Sequence, residues 1–274
     1  MLSDREFKQF AKLIYERTGI WFEDNKRAFL LRRIRERMNS LGMADIDEYY
    51  QQLYFINNEK EWQELVNRLT INETYFFRDF PQLAVFAEEV LPQVVKVREA
   101  SGQLNLRLWS AACSTGEEPY TLAIILKEML PKPALWDIDI LASDINTRVL
   151  DHALRGNYDD RSVRDVPPEY LNRYFIRSLQ GYTVKPEIKT MVNFRSLNLL
   201  DSTAIREQGE FDFIFCRNVL IYFDDHSRQK VVEDLYRALR RGGYIFLGYS
   251  ESVSRINAKF RAARVADHVV YYKP

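Results

Sequence analysis

The sequence predicts an α/β protein in which an all-α N-terminal segment precedes a Rossmann-like sheet carrying a small antiparallel β insertion. Three observations predict it. Apolar strand-like runs alternate with helical patterns from about residue 103 onward, as in a parallel-rich sheet covered on both faces. The first 75 or so residues show helical spacing and no strand-like alternation. Between them, LNLRLWSAACSTGEEPYTLAIIL (104–126) reads as a buried strand, a loop of small residues and an amphipathic helix, the unit that commonly holds nucleotide-shaped cofactors.

The elements follow in order. Phe7, Phe10 and Ile14 recur at helical spacing until Thr18-Gly19 breaks the first helix. A second runs from about Asn25 to Leu41, with Leu30, Leu31, Ile34, Met38 and Leu41 as its apolar stripe and Gly42 as its stop. Lys26, Arg33 and Arg37 fall together on one flank of it. Asp45–Phe55 and Lys60–Leu69 supply two more helices, and Leu83–Val97 a connecting one. Strands are predicted at Leu104–Trp109, Ile138–Ser143, Val192–Ser196, Phe211–Cys216, Tyr244–Tyr249 and within His268–Tyr272. Helices lie between them at Tyr120–Met129, Thr147–Leu154 and Ser227–Leu239, and Arg241-Gly242-Gly243 reads as a turn. Residues 174–194 break the rhythm: Tyr182–Lys185 and the residues around Ile188–Val192 read as a small antiparallel hairpin around Gln180-Gly181. The resulting division is a helical domain over 1–79, a linker helix over 80–102 and a cofactor-binding domain over 103–274.

Composition narrows the function. The 39 basic and 39 acidic residues balance, so no net field points to nucleic acid or a membrane surface. Two cysteines, Cys113 and Cys216, and three histidines form no metal-ligand spacing. The start of the chain, MLSDREFKQF, lacks a signal-peptide core and no run reaches transmembrane length, so a cytoplasmic protein is expected.

The loop at 111–118 points to one class of cofactor. Glu117 and Glu118 at the positive end of the next helix are favourable in themselves, and they would repel a phosphate. S-adenosylmethionine, with ribose hydroxyls and a cation but no phosphate, suits the loop. Other strand ends converge on the same place. Asp144 ends the second strand and is placed to accept ribose hydroxyls, although it lies 28 residues beyond Gly116 rather than the ~20 of the dinucleotide fingerprint. Asn198-Leu199 could hold an adenine edge, and Cys216-Arg217-Asn218 with Tyr222 closes the fourth strand. Each has a plainer alternative: Asp144 as a helix N-cap, Asn198 as a turn residue, Tyr222 as a core aromatic. Asn72, Thr74 and Arg78, set among the aromatics of LTINETYFFRD (69–79), read slightly better as a domain junction than as part of a site.

The strings TINETYFFR, WSAACSTGEEPY, ASDINTRVL and FCRNVLIYF, with GGYIFLGYSES near the end and the helical first domain, resemble the CheR family of chemotaxis receptor methyltransferases over nearly the whole chain. The resemblance implies S-adenosylmethionine as methyl donor, S-adenosylhomocysteine as product and receptor glutamates as acceptors. It implies that Asn72, Thr74, Arg78, Glu118, Asp144, Asn198, Leu199, Arg217 and Asn218 line the cofactor site, with Arg78 and Tyr222 nearest the transferred methyl. Lys26, Arg33 and Arg37 become contacts for the cytoplasmic signalling domain of methyl-accepting chemoreceptors, met by a monomer that touches the membrane only through them. In the family the inserted hairpin docks a receptor tether in some members. The single-glycine turn here, RSLQGYTVK, is short for that role and points to a tether-independent enzyme.

Three rival readings are weighed. A base methyltransferase would carry an Asn/Asp-Pro-Pro-aromatic string where Arg217-Asn218-Val219-Leu220 stands. A non-catalytic sensor of the cofactor would not need Arg78, Asp144 and Tyr222 together. A nicotinamide-dependent oxidoreductase would use a three-glycine loop instead of the single Gly116.

Overall fold

The computed structural model describes residues 3–56, 58–253 and 259–274. Four helices open the chain: α1 (Asp4–Thr18), α2 (Arg27–Leu41), α3 (Ile46–Tyr54) and α4 (Glu59–Leu69). Their starts are written locally. Ser3 and Glu6 form a capping box on α1, Asp45 accepts the Asp47 N–H, and Asn58 accepts that of Glu61. Phe10, Ile14, Leu30, Ile34, Tyr49 and Leu65 close one apolar core among them. The residues before Arg27 form a 3₁₀ turn, Asp24–Lys26, rather than the first turn of α2.

The connecting helix is longer than its sequence pattern. It runs from α5 (Phe80–Ala84) through a π-helical turn (Val85–Val90) into α6 (Leu91–Ala100). Phe86 in that turn packs its ring against Phe213, Phe215 and Phe246, with centroids 5.1, 5.1 and 5.5 Å away. The sheet domain then proceeds through β1 (Asn105–Ala111), α7 (Glu117–Met129), β2 (Asp137–Asp144), α8 (Thr147–Arg155), β3 (Asn157–Tyr158), α9 (Pro168–Tyr174), β4 (Phe175–Ser178), β5 (Gly181–Val184), α10 (Pro186–Lys189), β6 (Val192–Ser196), α11 (Ser202–Glu207), β7 (Phe211–Cys216), α12 (Asp225–Ala238), β8 (Leu239–Leu247), β9 (Arg261–Val265) and β10 (His268–Tyr272).

The seven-stranded sheet has the order β6-β2-β1-β7-β8-β10-β9. The first five strands are parallel, and β10 and β9 close one side antiparallel. Strand alternation feeds two cores. Leu106, Leu108, Phe213 and Phe215 pack under α6 and α7, whereas Trp109, Ile214 and Cys216 pack under α12. β1 sits near the middle with β2 and β7 on either side, so the loops after these strands meet at one edge.

Three local expectations change. The inserted hairpin pairs Gly181–Val184 with Phe175–Ser178, not with residues around Ile188–Val192. Pro186–Lys189 is helical, while Val192–Ser196 pairs with β2 in the main sheet as its strand pattern predicts. Asn157-Tyr158 is the unforeseen third strand of the small sheet. Finally, Arg241-Gly242-Gly243 is no turn: it lies inside β8, where the register with β7 shifts between Phe211 and Phe213 and Gly242 takes φ +78°. The added strand β9 had no sequence signal beyond a short mixed run.

The helical domain joins the sheet domain along two polar seams. At one, the Asn146 side chain donates to the Asn67 carbonyl (3.1 Å) and Thr70 Oγ1 (2.7 Å), and the Thr147 N–H donates to Asn67 Oδ1 at 2.9 Å. At the other, the Trp21 N–H donates to the Tyr222 carbonyl at 2.8 Å and the Tyr15 hydroxyl to Asp224 at 3.0 Å. No helix among the described residues is long and apolar enough to cross a membrane.

Candidate active site

A cleft opens where these seams meet the ends of β1, β2, β6 and β7. It holds about 1140 Å³ of free space, solvent at its mouth included. Asn72, Thr74, Arg78, Glu118, Asp144, Asn198, Leu199, Arg217, Asn218 and Tyr222 all line it. Sequence positions spread over 150 residues thus share one wall.

Backbone strain concentrates there. Of the seven described non-glycine residues with positive φ, Phe77, Ala112, Ser114 and Asn218 line the cleft and Asp79 pairs with a lining residue. Such conformations cost roughly 1–3 kcal/mol each and persist where the surroundings over-determine them. Gly116, at φ +94°, has a steric reason to be glycine: a Cβ would stand 2.7 Å from Ala153 Cβ and 3.0 Å from the Tyr158 hydroxyl. The loop therefore presses onto α8 and β3 while its other side faces the cleft.

Asp144 is buried, and each of its oxygens accepts one backbone N–H, from Asn146 and from Ser114, both at 2.9 Å. It is not the N-cap of α8; Asn146 is, accepting from Arg148 and Val149. Burial raises the Asp144 pKa against the lowering effect of those N–H groups. Each oxygen keeps acceptor capacity for a hydroxyl.

Glu117 and Glu118 part company. Glu117 turns away from the cleft, is buried, and accepts from Thr115 Oγ1 (2.6 Å) and Ser162 Oγ (3.2 Å); burial raises its pKa. Glu118 faces the cleft, accepts from Ser110 Oγ at 2.7 Å and pairs with Arg217 Nη1 at 3.0 Å. Arg217 Nη2 also reaches Asp79 Oδ2 (2.6 Å) and the Arg78 carbonyl (2.8 Å), so one guanidinium joins α7, β7 and the 70–79 loop. Arg217 Nε is buried and finds no partner among the described residues.

Arg78 Nη1 donates to the Glu73 carbonyl at 2.7 Å, and among the described residues Arg78 has no carboxylate partner. Tyr222 ends the 3₁₀ turn Leu220–Tyr222; burial raises its pKa, opposed by the positive charge of Arg78. Asn198 lines the cleft, yet its amide is engaged: Nδ2 donates to the Arg17 carbonyl at 2.7 Å and Oδ1 accepts the Leu200 N–H at 3.0 Å. Its turn role is therefore real, and Leu199 supplies the apolar surface beside it. Asn72 Nδ2 donates within its own loop, to Thr70 Oγ1 at 3.2 Å. Burial pushes the Cys113 and Cys216 thiols up, which keeps both protonated and unreactive.

The three basic residues of the second helix do not stay together. Arg37 is buried and holds Glu61 through both ends of its guanidinium, with Nε–Oε1 at 2.9 Å. It is unavailable as a surface contact, because its spacing places it on the flank that packs on α4. Arg33 pairs with Glu36 at 3.0 Å and lies over the Phe29 ring. Lys26 is elsewhere, its Nζ 5.8 Å from the Tyr222 ring centroid at the edge of the cleft.

Two functional positions escaped the sequence reading. Ser114 links the cofactor loop to Asp144 and, through Oγ, to the Asn72 carbonyl at 3.2 Å. Glu251 accepts the N–H groups of Asn218 (2.9 Å), Leu220 (2.8 Å) and Gly248 (2.8 Å), holding the turn that carries Tyr222. An acidic residue just past a parallel strand was the available signal, the same one that marked Asp144.

A parallel sheet with an acidic cleft beyond its carboxyl edge defines a Rossmann-like nucleoside-cofactor domain. The family model described as the CheR methyltransferase SAM-binding domain matches residues 72–269, and that described as the CheR methyltransferase all-alpha domain matches residues 5–70. The chain belongs to the CheR methyltransferase family. It is 42% identical to chemotaxis protein methyltransferase 2 of Vibrio cholerae, over 100% of this chain and 94% of that protein. It is 38% identical to the chemotaxis protein methyltransferase of Escherichia coli K12, over 94% of this chain and 88% of that protein. The protein is an S-adenosylmethionine-dependent methyltransferase.

Proposed function

We propose that the cleft transfers the methyl group of S-adenosylmethionine to glutamate side chains of methyl-accepting chemoreceptors, forming glutamate methyl esters and S-adenosylhomocysteine. The observation that carries this reading is the meeting of Asp144, the Glu118–Arg217 pair, Arg78 and Tyr222 on one lining. When bound, the cofactor supplies a methyl group activated by a sulfonium. Asp144 accepts the ribose hydroxyls, Leu199 packs on the adenine with Asn198 fixing its turn, and Glu118 complements the cationic methionine end. Arg217, Asn218, Asn72 and Thr74 complete the enclosure.

The acceptor needs no base. A glutamate with an ordinary pKa of ~4.3 is already ionised at neutral pH. Arg78, without a carboxylate of its own, is a counter-charge for the incoming carboxylate. Tyr222, kept protonated, donates to one carboxylate oxygen and leaves the other free to attack. Positioning and exclusion of water carry the rate enhancement. The helical domain meets the receptor, with Lys26 beside the cleft as its best-placed cation; the enzyme works in the cytoplasm as a monomer and without a receptor tether.

Radiolabelled methyl transfer to chemoreceptor-containing membranes tests this. Base-labile label is expected, and Tyr222→Phe is expected to lower kcat roughly tenfold to a hundredfold while the Kd for S-adenosylhomocysteine moves less than about twofold. Base-stable label, or none, would overturn the reading.

A further inference from the structure

At the mouth of the cleft the cationic surface extends beyond the groups that the reaction uses. Tyr75, on the cleft lining, carries two guanidinium groups over its ring: Arg164 lies 4.0 Å from the ring centroid and Arg78 lies 5.9 Å away. The negative ring face attracts both. Arg164 comes from the turn that follows β3, so the inserted segment reaches back over the 70–79 loop. It is exposed, and its carboxylate neighbour Asp165 stands 3.9 Å off, at the limit of ion-pair range. Arg161, from the same turn, is different: it is neutralised by Glu73 at 3.1 Å.

We infer that Arg164, seated on Tyr75, is a specificity subsite for a second carboxylate, so that the preferred acceptor is a helical segment bearing another acidic side chain about one turn from the glutamate being methylated. This rests on the functional reading above. The shared ring keeps the Arg164 and Arg78 guanidinium groups within about 10 Å of each other. On a helix, side chains three or four residues apart stand ~5–6 Å apart at Cβ and splay outward beyond that. One carboxylate can thus face Arg78 while its neighbour faces Arg164. The guanidinium fork suits a carboxylate bidentately, and its contact with the tyrosine ring restrains it before binding, which reduces the ordering cost.

The test uses the full-length enzyme and a purified chemoreceptor cytoplasmic fragment as acceptor. Arg164→Gln is expected to raise the acceptor KM roughly tenfold at low salt, while kcat and the Kd for S-adenosylhomocysteine stay within about twofold. Raising the ionic strength should shrink that difference, because an exposed pair is screened. Arg164→Lys, keeping the charge without the fork, should fall between. Changing to amides the acceptor carboxylates within one helical turn of the methylated glutamate should raise KM for the native enzyme and add little for Arg164→Gln. A merely structural Arg164 would instead lower kcat and thermal stability without a salt dependence in KM. Transfer with an unchanged KM in Arg164→Gln overturns the subsite alone; absence of any transfer by the native enzyme overturns the functional reading and the subsite with it.

Discussion

The helical domain and the cleft each bury an arginine in a network of polar groups, and the two networks are built for opposite ends. In the helical domain, Arg37 meets Glu61, which also accepts the Tyr49 hydroxyl at 2.7 Å. Arg37 and Glu61 keep only 10% and 5% of their side-chain exposure, and no member of the triad lines the cleft. In the cleft, Arg217 is as buried, at 4%, but its partners Glu118 and Asp79 keep 15% and 39%. A closed network is satisfied by the fold and serves the packing of α2 on α4. An open one retains capacity, here the exposed parts of Glu118 and Asp79, and that capacity is what a ligand can use.

The largest expected effect breaks the closed network. Glu61→Ala leaves Arg37 charged and buried and Tyr49 unpaired, and should cost about 3–5 kcal/mol in denaturant unfolding. The affinity of the remaining folded protein for S-adenosylhomocysteine should not change. Loss of that affinity by the folded fraction would join the two networks and undo the contrast. Next in size, Glu118→Ala should weaken S-adenosylhomocysteine binding by about 1.5–3 kcal/mol in calorimetry, the usual worth of a hydrogen bond to a charged group. Its cost in stability should be the smaller of the two, because Arg217 keeps Asp79 and the Arg78 carbonyl.

The smallest effect sharpens the view of Asp144. Burial raises its pKa above the ~3.9 of an unfolded chain, so the folded state favours the protonated form. That contribution to stability is fully present below the unfolded value and is lost as pH rises through the raised one. Ribose binding needs the carboxylate, so S-adenosylhomocysteine affinity should weaken as pH falls through the same raised value. Asp144→Asn, neutral throughout, should bind more weakly near neutral pH and lose this dependence. An unchanged pH profile in Asp144→Asn would remove Asp144 from the ribose.

Much of the cleft was legible because each strand end announces its residues locally. Small residues after β1, an acid after β2 and a polar pair after β7 each follow an apolar run, and parallel topology then brings such ends to one edge. The inserted sheet was read less well. Its strands are short and half-exposed, so Phe175–Ser178 carries little apolar pattern and the residues around Ile188–Val192 compete with it for the hairpin. The basic flank of α2 was misread for a related reason: helical angle places Lys26, Arg33 and Arg37 near one another but does not say which neighbour covers them.

What the sequence determined by itself was the fold class and the set of residues at the strand ends, since hydrophobic period and chain order are local properties. The tertiary structure decided their employment. It turned Glu117 onto Thr115 and Ser162 and Glu118 into the cleft, sealed Arg37 under α4, and brought Arg164 onto Tyr75. The physical reason is that burial and pairing depend on groups far away in sequence, and those are the terms that separate a satisfied charge from an available one.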